Sequence, residues 1–473
     1  MLTAQLLAAM RETLQIEVPL FYLFKDPTIS GLVTAIDIIQ TLQASDVVKD
    51  LNTVDLEAEA VLDATIQTES AKSFKVDNPS NIFLTGATGF LGAFLLHDLL
   101  QQTQAQIYCL VRAENETEGL YRIQHNLERY LLWSDHLCDR ITPIPGDLTK
   151  PQLGISDPLF TELAAKVDVI YHGGALINLV YPYSALKASN VSGSEAVLKL
   201  AAQTKTKPVH FISTLDVFQS PAYIKTPVIT EADHLNQSEG LYRGYAQTKW
   251  VAEHLMLEAR RRGIPVNIYR PEMISGHSKT GVSQPNDLLC RFFKGIVQMG
   301  SAPNIDRMMH MVPVDYVSQA IVSLAHNPDA LGQTFHLANH APLSFTQLLN
   351  EIRSLGFSID SIAYDQWQTR LINLESSDNN ALMPLISLFT ENNEQESYLE
   401  ISLLSSQRFD CSNALTYLNQ GSVICPPVSR DLIKIYFKYF VQSGFLDVPS
   451  AYQAHGHNLS ISTASPSNML ATR

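Results

Sequence analysis

Tyr245 and Lys249 stand four positions apart in Tyr245-Ala246-Gln247-Thr248-Lys249, the spacing that brings two side chains to one face of a helix. A phenol with a reference pKa of about 10 is a poor acid or base at neutral pH, but an ammonium within about 4–6 Å favours the phenolate. The pair can therefore give a proton to one substrate atom and take it back. Upstream, Phe211-Ile212-Ser213-Thr214 reads as an apolar strand ending in two hydroxyls. Placement at the strand end favours Thr214 as donor to a carbonyl oxygen beside Tyr245, with Ser213 the competing hydroxyl.

A second cluster is Asn81-Ile82-Phe83-Leu84-Thr85-Gly86-Ala87-Thr88-Gly89-Phe90-Leu91-Gly92, an apolar strand that runs into three glycines and then a helical pattern. Gly86 permits the tight turn, Gly89 lets backbone N–H groups approach a pyrophosphate, and Gly92 lets the helix pack close to the sheet. The strand before and the helix after make this a dinucleotide site rather than a structural glycine turn. About twenty positions past the last glycine, where the second strand should end, an acid would read a ribose diol. Arg112 stands there instead. It cannot accept from the diol but can fork onto a 2′-phosphate, so NADPH is the expected cofactor. Arg122 either adds a second charge or is a solvated helix arginine. Asp147, in Pro145-Gly146-Asp147-Leu148, either accepts from the adenine amine or caps a turn. In His172-Gly173-Gly174-Ala175, the small Gly174 and Ala175 let backbone lie against the cofactor ribose, while His172 reads as a packed strand-end histidine.

The elements that must hold these residues alternate. Strands are predicted at 81–85, 106–111, 141–144, 167–171, 208–213 and 265–269, with helices from Leu91 and at 117–131, 184–203 and 242–262. Such alternation means a doubly wound, Rossmann-type parallel α/β sheet with the cofactor across its C-terminal edge. The expected organisation is a small helical unit at 1–42, a linker at 43–77 with at most one short helix, and the dinucleotide domain at 78–287. A mainly helical substrate lobe with some strands returning to the sheet follows at 288–449, then a disordered tail at 450–473.

At 473 residues with a hydrophobic fraction of 45 % and a charged fraction of 17 %, the chain has ample apolar content for buried cores. A net charge of −14 disfavours nucleic acid or an anionic membrane as partner. No apolar run reaches the roughly 18 residues that span a bilayer and the first residues lack a secretory pattern, so a cytoplasmic location is expected. The five cysteines, Cys109, Cys138, Cys290, Cys411 and Cys425, have neither metal nor redox spacing, so reduced thiols and no metal are expected.

These motifs, with Leu110-Val111-Arg112, Gly146-Asp147-Leu148 and Arg270-Pro271, resemble the thioester reductase domains of non-ribosomal peptide and polyketide synthases, which are extended short-chain dehydrogenase/reductases. The resemblance covers roughly residues 78 to 445. Arg11-Glu12-Thr13-Leu14-Gln15-Ile16-Glu17-Val18-Pro19-Leu20 and Leu23-Phe24-Lys25-Asp26-Pro27-Thr28-Ile29-Ser30-Gly31-Leu32 resemble the second half of a carrier domain, with Met1 falling just past the serine that would carry phosphopantetheine. The resemblance implies a monomer that takes an acyl or peptidyl thioester from a carrier protein, offered in trans or by a parent synthase. Hydride transfer from NADPH would give a hemithioacetal, then an aldehyde, and with a second hydride a primary alcohol. Tyr245 would be the proton donor, Lys249 would hold the nicotinamide ribose, Thr214 would bind the oxyanion, and Thr88, Phe90, Leu91, Leu148 and Pro271 would line the cofactor. Glu272 departs from the small residue of many relatives, and either bonds an amine or water in the pocket or faces away. Sugar-nucleotide epimerases or dehydratases, carbonyl reductases and non-catalytic cofactor sensors share parts of the pattern. Arg112 counts against a bound NAD, and the intact Tyr245, Lys249 and Thr214 against a sensor.

Overall fold

The computed structural model describes residues 28–33, 36, 54–68, 77–224, 226–233, 235–241, 243–374, 379–390, 407–418 and 423–449. The carrier-like unit at 1–42, apart from 28–33 and 36, and the tail at 450–473 lie outside the described residues.

Seven strands form one sheet: β1 (Asn81–Thr85), β2 (Gln106–Val111), β3 (Ile141–Pro145), β4 (Val169–His172), β5 (Val209–Ile212), β6 (Val266–Pro271) and β7 (Thr334–Leu337). Their order is β7-β6-β5-β4-β1-β2-β3, with every pair parallel. The order reverses between β1 and β4, which opens a crevice at their C-terminal ends. Helices cover both faces, so the strands read as nearly unbroken apolar runs; Ile82, Phe83, Leu84 and Thr85 of β1 are all buried. The covering helices include α1 (Phe90–Gln102), α2 (Glu116–Arg129), α3 (Asp157–Lys166), α4 (Gly193–Ala202) and α5 (Gly244–Arg261).

The expected helix at 184–203 is present, with one irregular turn inside it. A short helix at Tyr183–Lys187 passes through a widened π turn at Ala188–Ser192 before α4 begins, and that turn buries Asn190. Beyond residue 287 the chain serves two cores. Helix α6 (Leu288–Met299) belongs to a second apolar cluster, whereas α7 (Val314–Ala325) packs along α1 and leads into β7 at the edge of the sheet. The second cluster is completed by α8 (Phe345–Ser354), α9 (Tyr364–Ile372) and α10 (Arg430–Gln442) through Phe292, Phe293, Leu348, Trp367, Phe437 and Phe440. Leu179, Val180 and Met273, from loops after β4 and β6, pack against it, which seats the lobe over the C-terminal edge of the sheet.

Part of the segment read as a linker is built into the fold. Within 54–68, a short helix at Leu56–Glu59 and the buried Leu56, Leu62 and Ile66 join the main core. Arg262, the C-cap of α5, donates to the carbonyls of Asp63 (2.7 Å), Ile66 (3.0 Å) and Leu62 (3.0 Å). At the other end of the segment, Glu59 accepts from Tyr183 Oη (2.8 Å) and pairs with Lys187 (2.6 Å). Leu56, Leu62 and Ile66, with Val54 and Ala60 packed at the margin, anchor it at irregular spacing, so periodicity gives no sign of the docking.

Replacing Arg262 by Ala removes the charged donor from three carbonyls at once, and a loss of about 1–3 kcal/mol is expected in urea unfolding. A variant as stable as the parent would show that the three bonds from Arg262 add nothing to the fold.

Candidate active site

The glycine turn leaves no room for side chains. Gly86 has φ of +88°, and a Cβ there would meet Gly173 C at 2.8 Å; a Cβ on Gly92 would fall 1.9 Å from Gly86 O. Gly89 is the N-cap of α1 and has no side chain to bond the first turn. Those N–H groups and the helix dipole face the crevice, an arrangement suited to a pyrophosphate. Asn126, buried on α2, braces the turn from behind by donating to the carbonyls of Ala87 (3.2 Å) and Gly89 (3.1 Å). Thr88, Phe90 and Leu91 lie within the turn and the first residues of α1.

Across the crevice, a buried chain of hydrogen bonds sets the loop after β4. His172 Nε2 meets Ser194 Oγ at 3.0 Å, His172 Nδ1 meets Thr85 Oγ1 at 2.7 Å, and Gly174 N–H donates to Thr85 Oγ1 at 2.9 Å. Burial holds the His172 pKa down to about 3, with the Lys249 charge adding to the effect, so the ring is neutral and structural. The side chain of Leu148 packs beneath Gly174, where a Cβ would approach it to 2.7 Å, and Ala175 follows on the same loop.

Arg112 is exposed one residue past β2, and Arg122 donates to its carbonyl, so the Arg122 guanidinium stands at the end of that strand. Arg122 also lies 4.0 Å from Glu118. Asp147 Oδ1 accepts from the N–H (2.8 Å) and hydroxyl (2.9 Å) of Thr149, the turn-capping role that the sequence left open.

The Tyr-Lys pair occupies the first two turns of α5. Lys249 Nζ donates to the carbonyl of Ile212 (2.6 Å) and lies 4.0 Å from the Phe211 ring centroid, which fixes the helix to the end of β5 two residues before Thr214. Burial pulls the Lys249 pKa down to about 7 against the opposing pull of the Glu253 carboxylate. Thr214 Oγ1 accepts from Asp216 N–H (3.2 Å), a bond that leaves the hydroxyl hydrogen for another acceptor. Ser213 is committed elsewhere, donating to Glu253 Oε2. Tyr245 is buried, and Pro271 ends β6, the strand that pairs with β5.

Two positioning residues escape a reading of motifs. Glu253, one turn past Lys249 and fully buried, takes the Ser213 hydroxyl and a pair of bonds from Arg270 Nε (2.9 Å) and Nη2 (2.5 Å). The Arg270 guanidinium also donates to His336 Nε2 (3.1 Å) on β7. Asn190 donates to Thr248 Oγ1 (3.0 Å) between Tyr245 and Lys249 and brackets the backbone of Leu176. Glu272 is spent inside the protein, with Oε1 at 2.9 Å from His310 Nδ1 and Oε2 accepting from Asn339 N–H (3.2 Å). Spacing of four along α5 points to Glu253; nothing local points to Asn190.

Residues 84–321 match the NAD-binding family model described as male sterility protein. The chain is 40 % identical over 451 residues to a linear gramicidin synthase of Brevibacillus parabrevis, covering 95 % of this chain and 9 % of that one. It is 35 % identical over 444 residues to glycine betaine reductase ATRR of Emericella nidulans, covering 92 % and 34 %. It thus spans under a tenth of the first relative's length and about a third of the second's. Among solved structures, the terminal R domain from the myxalamid PKS-NRPS biosynthetic pathway superposes with a TM-score of 0.78 at 42 % identity, over 84 % of this chain and 99 % of that one.

Lys249 is protonated at higher pH in the unfolded chain, near the ordinary 10.5, than in the fold, at about 7. Its burial therefore costs stability below about pH 7, and the cost is relieved as pH rises toward the unfolded value. The unfolding free energy of Lys249→Met minus that of the parent is expected to fall between pH 7 and pH 10. A difference that does not change with pH would show that the ammonium keeps its hydration in the folded state.

Proposed function

Because the chain belongs to the male sterility NAD-binding family and matches a synthase terminal R domain along nearly all of that domain, we propose that it releases a carrier-bound acyl or peptidyl thioester by NADPH-dependent reduction. The observation that carries the reading is the bond from Lys249 to the Ile212 carbonyl, which holds Tyr245 and Lys249 against the strand end that bears Thr214, beside the glycine cradle. The cofactor, when bound, supplies hydride to the carbonyl carbon of the thioester.

Thr214 donates to the carbonyl oxygen as negative charge grows there, and Tyr245 delivers the proton that completes a hemithioacetal. Lys249 lies one turn away on α5, its charge favouring the phenolate that remains and its head placed to meet the nicotinamide ribose. The Tyr245 phenolate then takes back the hydroxyl proton as the C–S bond breaks, so that an aldehyde and the carrier thiolate leave, the thiolate taking its proton from water. Hydride reaches carbon once per aldehyde; a second round gives the alcohol. Arg112, with Arg122 beside it, meets the 2′-phosphate, and Gly86, Gly89 and Gly92 accommodate the pyrophosphate. The thioester comes from a phosphopantetheine carrier, in trans or from a parent synthase, to a reductase that acts as a monomer.

Incubating the chain with NADPH and an acyl-pantetheine thioester should consume NADPH and yield aldehyde or alcohol, while Tyr245→Phe should cut turnover at least a hundredfold with NADPH affinity near that of the parent. Undiminished turnover in that variant would remove Tyr245 from the mechanism. Arg112→Ala should weaken NADPH about tenfold or more and NADH little, as measured by fluorescence titration. An equal loss for both cofactors would refute the phosphate assignment.

A further inference from the structure

The loop after β4 carries an apolar pair that the fold does not bury. Ile177 is 68 % exposed and Leu176 38 %, although their neighbours Leu179 and Val180 pack into the second core. Exposed aliphatic side chains are common, but these sit on backbone fastened to the catalytic helix at several points. Asn190 accepts from Leu176 N–H (2.7 Å), donates to Leu176 O (3.1 Å), and donates to Thr248 Oγ1 on α5. Arg243, the N-cap of α5, donates to Leu179 O (3.3 Å). Gly244 meets the same loop so closely that a Cβ would lie 2.4 Å from Tyr181 O. Leu176 and Ile177 are thus held between Gly174-Ala175, on the cofactor side, and the turn of α5 that bears Tyr245.

We propose that Leu176 and Ile177 form an apolar ledge that receives the aliphatic part of the acyl chain and makes the enzyme favour longer acyl groups. The inference rests on the thioester reductase reading above. A carbonyl held by Thr214 and Tyr245 has two substituents, the sulfur arm and the acyl chain, which must leave the site in different directions. The arm of a pantetheine thioester is rich in amides and hydroxyl and gains little from aliphatic contact. An alkyl chain gains with each methylene it withdraws from water. The ledge is firm because the bonds that hold its backbone are made by Asn190 and Arg243 rather than by the two apolar side chains themselves.

The test compares S-acetyl, S-hexanoyl and S-decanoyl pantetheine as substrates for the parent, Ile177→Ser, Leu176→Ser and Ile177→Leu, with kcat/KM read for each. The ratio of decanoyl to acetyl kcat/KM should fall about tenfold in each serine variant, chiefly through KM, and should be retained in Ile177→Leu. Because both side chains are largely or partly exposed, the serine variants are expected to melt close to the parent, and circular dichroism checks this. Equal losses for all three thioesters would overturn the ledge while leaving the reductase intact, since contact with the shared arm has that signature. A ratio unchanged in both serine variants would overturn it as well. Absence of NADPH-dependent turnover of every thioester by the parent would sink the reductase reading and this inference together.

Discussion

Glu253 is a carboxylate without access to water, and the site hangs on how it is satisfied. An ion of that size taken into the interior is costly unless it is paired and its remaining lone pairs are used, and removing one member of such a pair typically costs about 3–5 kcal/mol. Here Arg270 of β6 and Ser213 at the end of β5 meet that need. A side chain on the helix that bears Tyr245 and Lys249 therefore fixes the strand end that bears Thr214. Arg270 in turn reaches His336, whose Nδ1 meets the Asp410 carbonyl at 2.8 Å. The outermost strand and the segment that covers it are drawn into the same set of bonds.

What a sequence can disclose depends on whether the partners are close along the chain. The parallel strands were legible because burial on both faces leaves unbroken apolar runs, and the glycine turn because close backbone approach tolerates no Cβ. Tyr245 and Lys249 are one helical turn apart, so their meeting is a property of local geometry. Glu253 reaches Arg270 and Ser213 across 17 and 40 positions, and Glu272 reaches His310 and Asn339 across 38 and 67. No local pattern records such contacts. The widened turn at Ala188–Ser192 escaped for another reason: its extra residue leaves the apolar rhythm of the helix nearly intact while turning Asn190 inward.

The interval after residue 287 shows how one stretch of chain can serve two cores. Helix α7 and strand β7 finish the sheet, while the elements on either side in sequence build the aromatic cluster of Phe292, Trp367 and Phe437. The crevice is therefore walled on one side by the cofactor edge of the sheet and on the other by a cluster whose packing is independent of the glycine turn. Among the described residues no helix is long and apolar enough to cross a membrane. The shape of the wall can vary by exchange of apolar residues, which cores tolerate when volume is kept, without disturbing Tyr245, Lys249 or Thr214.

Residues 54–68 touch α5 through Arg262 at its C-terminal end and, through Glu59, the Tyr183–Lys187 helix that abuts Gly244 at its N-terminal end. In practical terms, the piece that can be excised is longer than the sheet alone suggests. A cut between Thr68 and β1 would strip α5 of a brace at both ends and expose to water the surface that Leu56, Leu62 and Ile66 cover. A unit that keeps this brace begins no later than Val54. The same brace moves the point at which the chain is held to the fold back to residues 54–68, so the distance to anything joined upstream is counted from there rather than from the first strand.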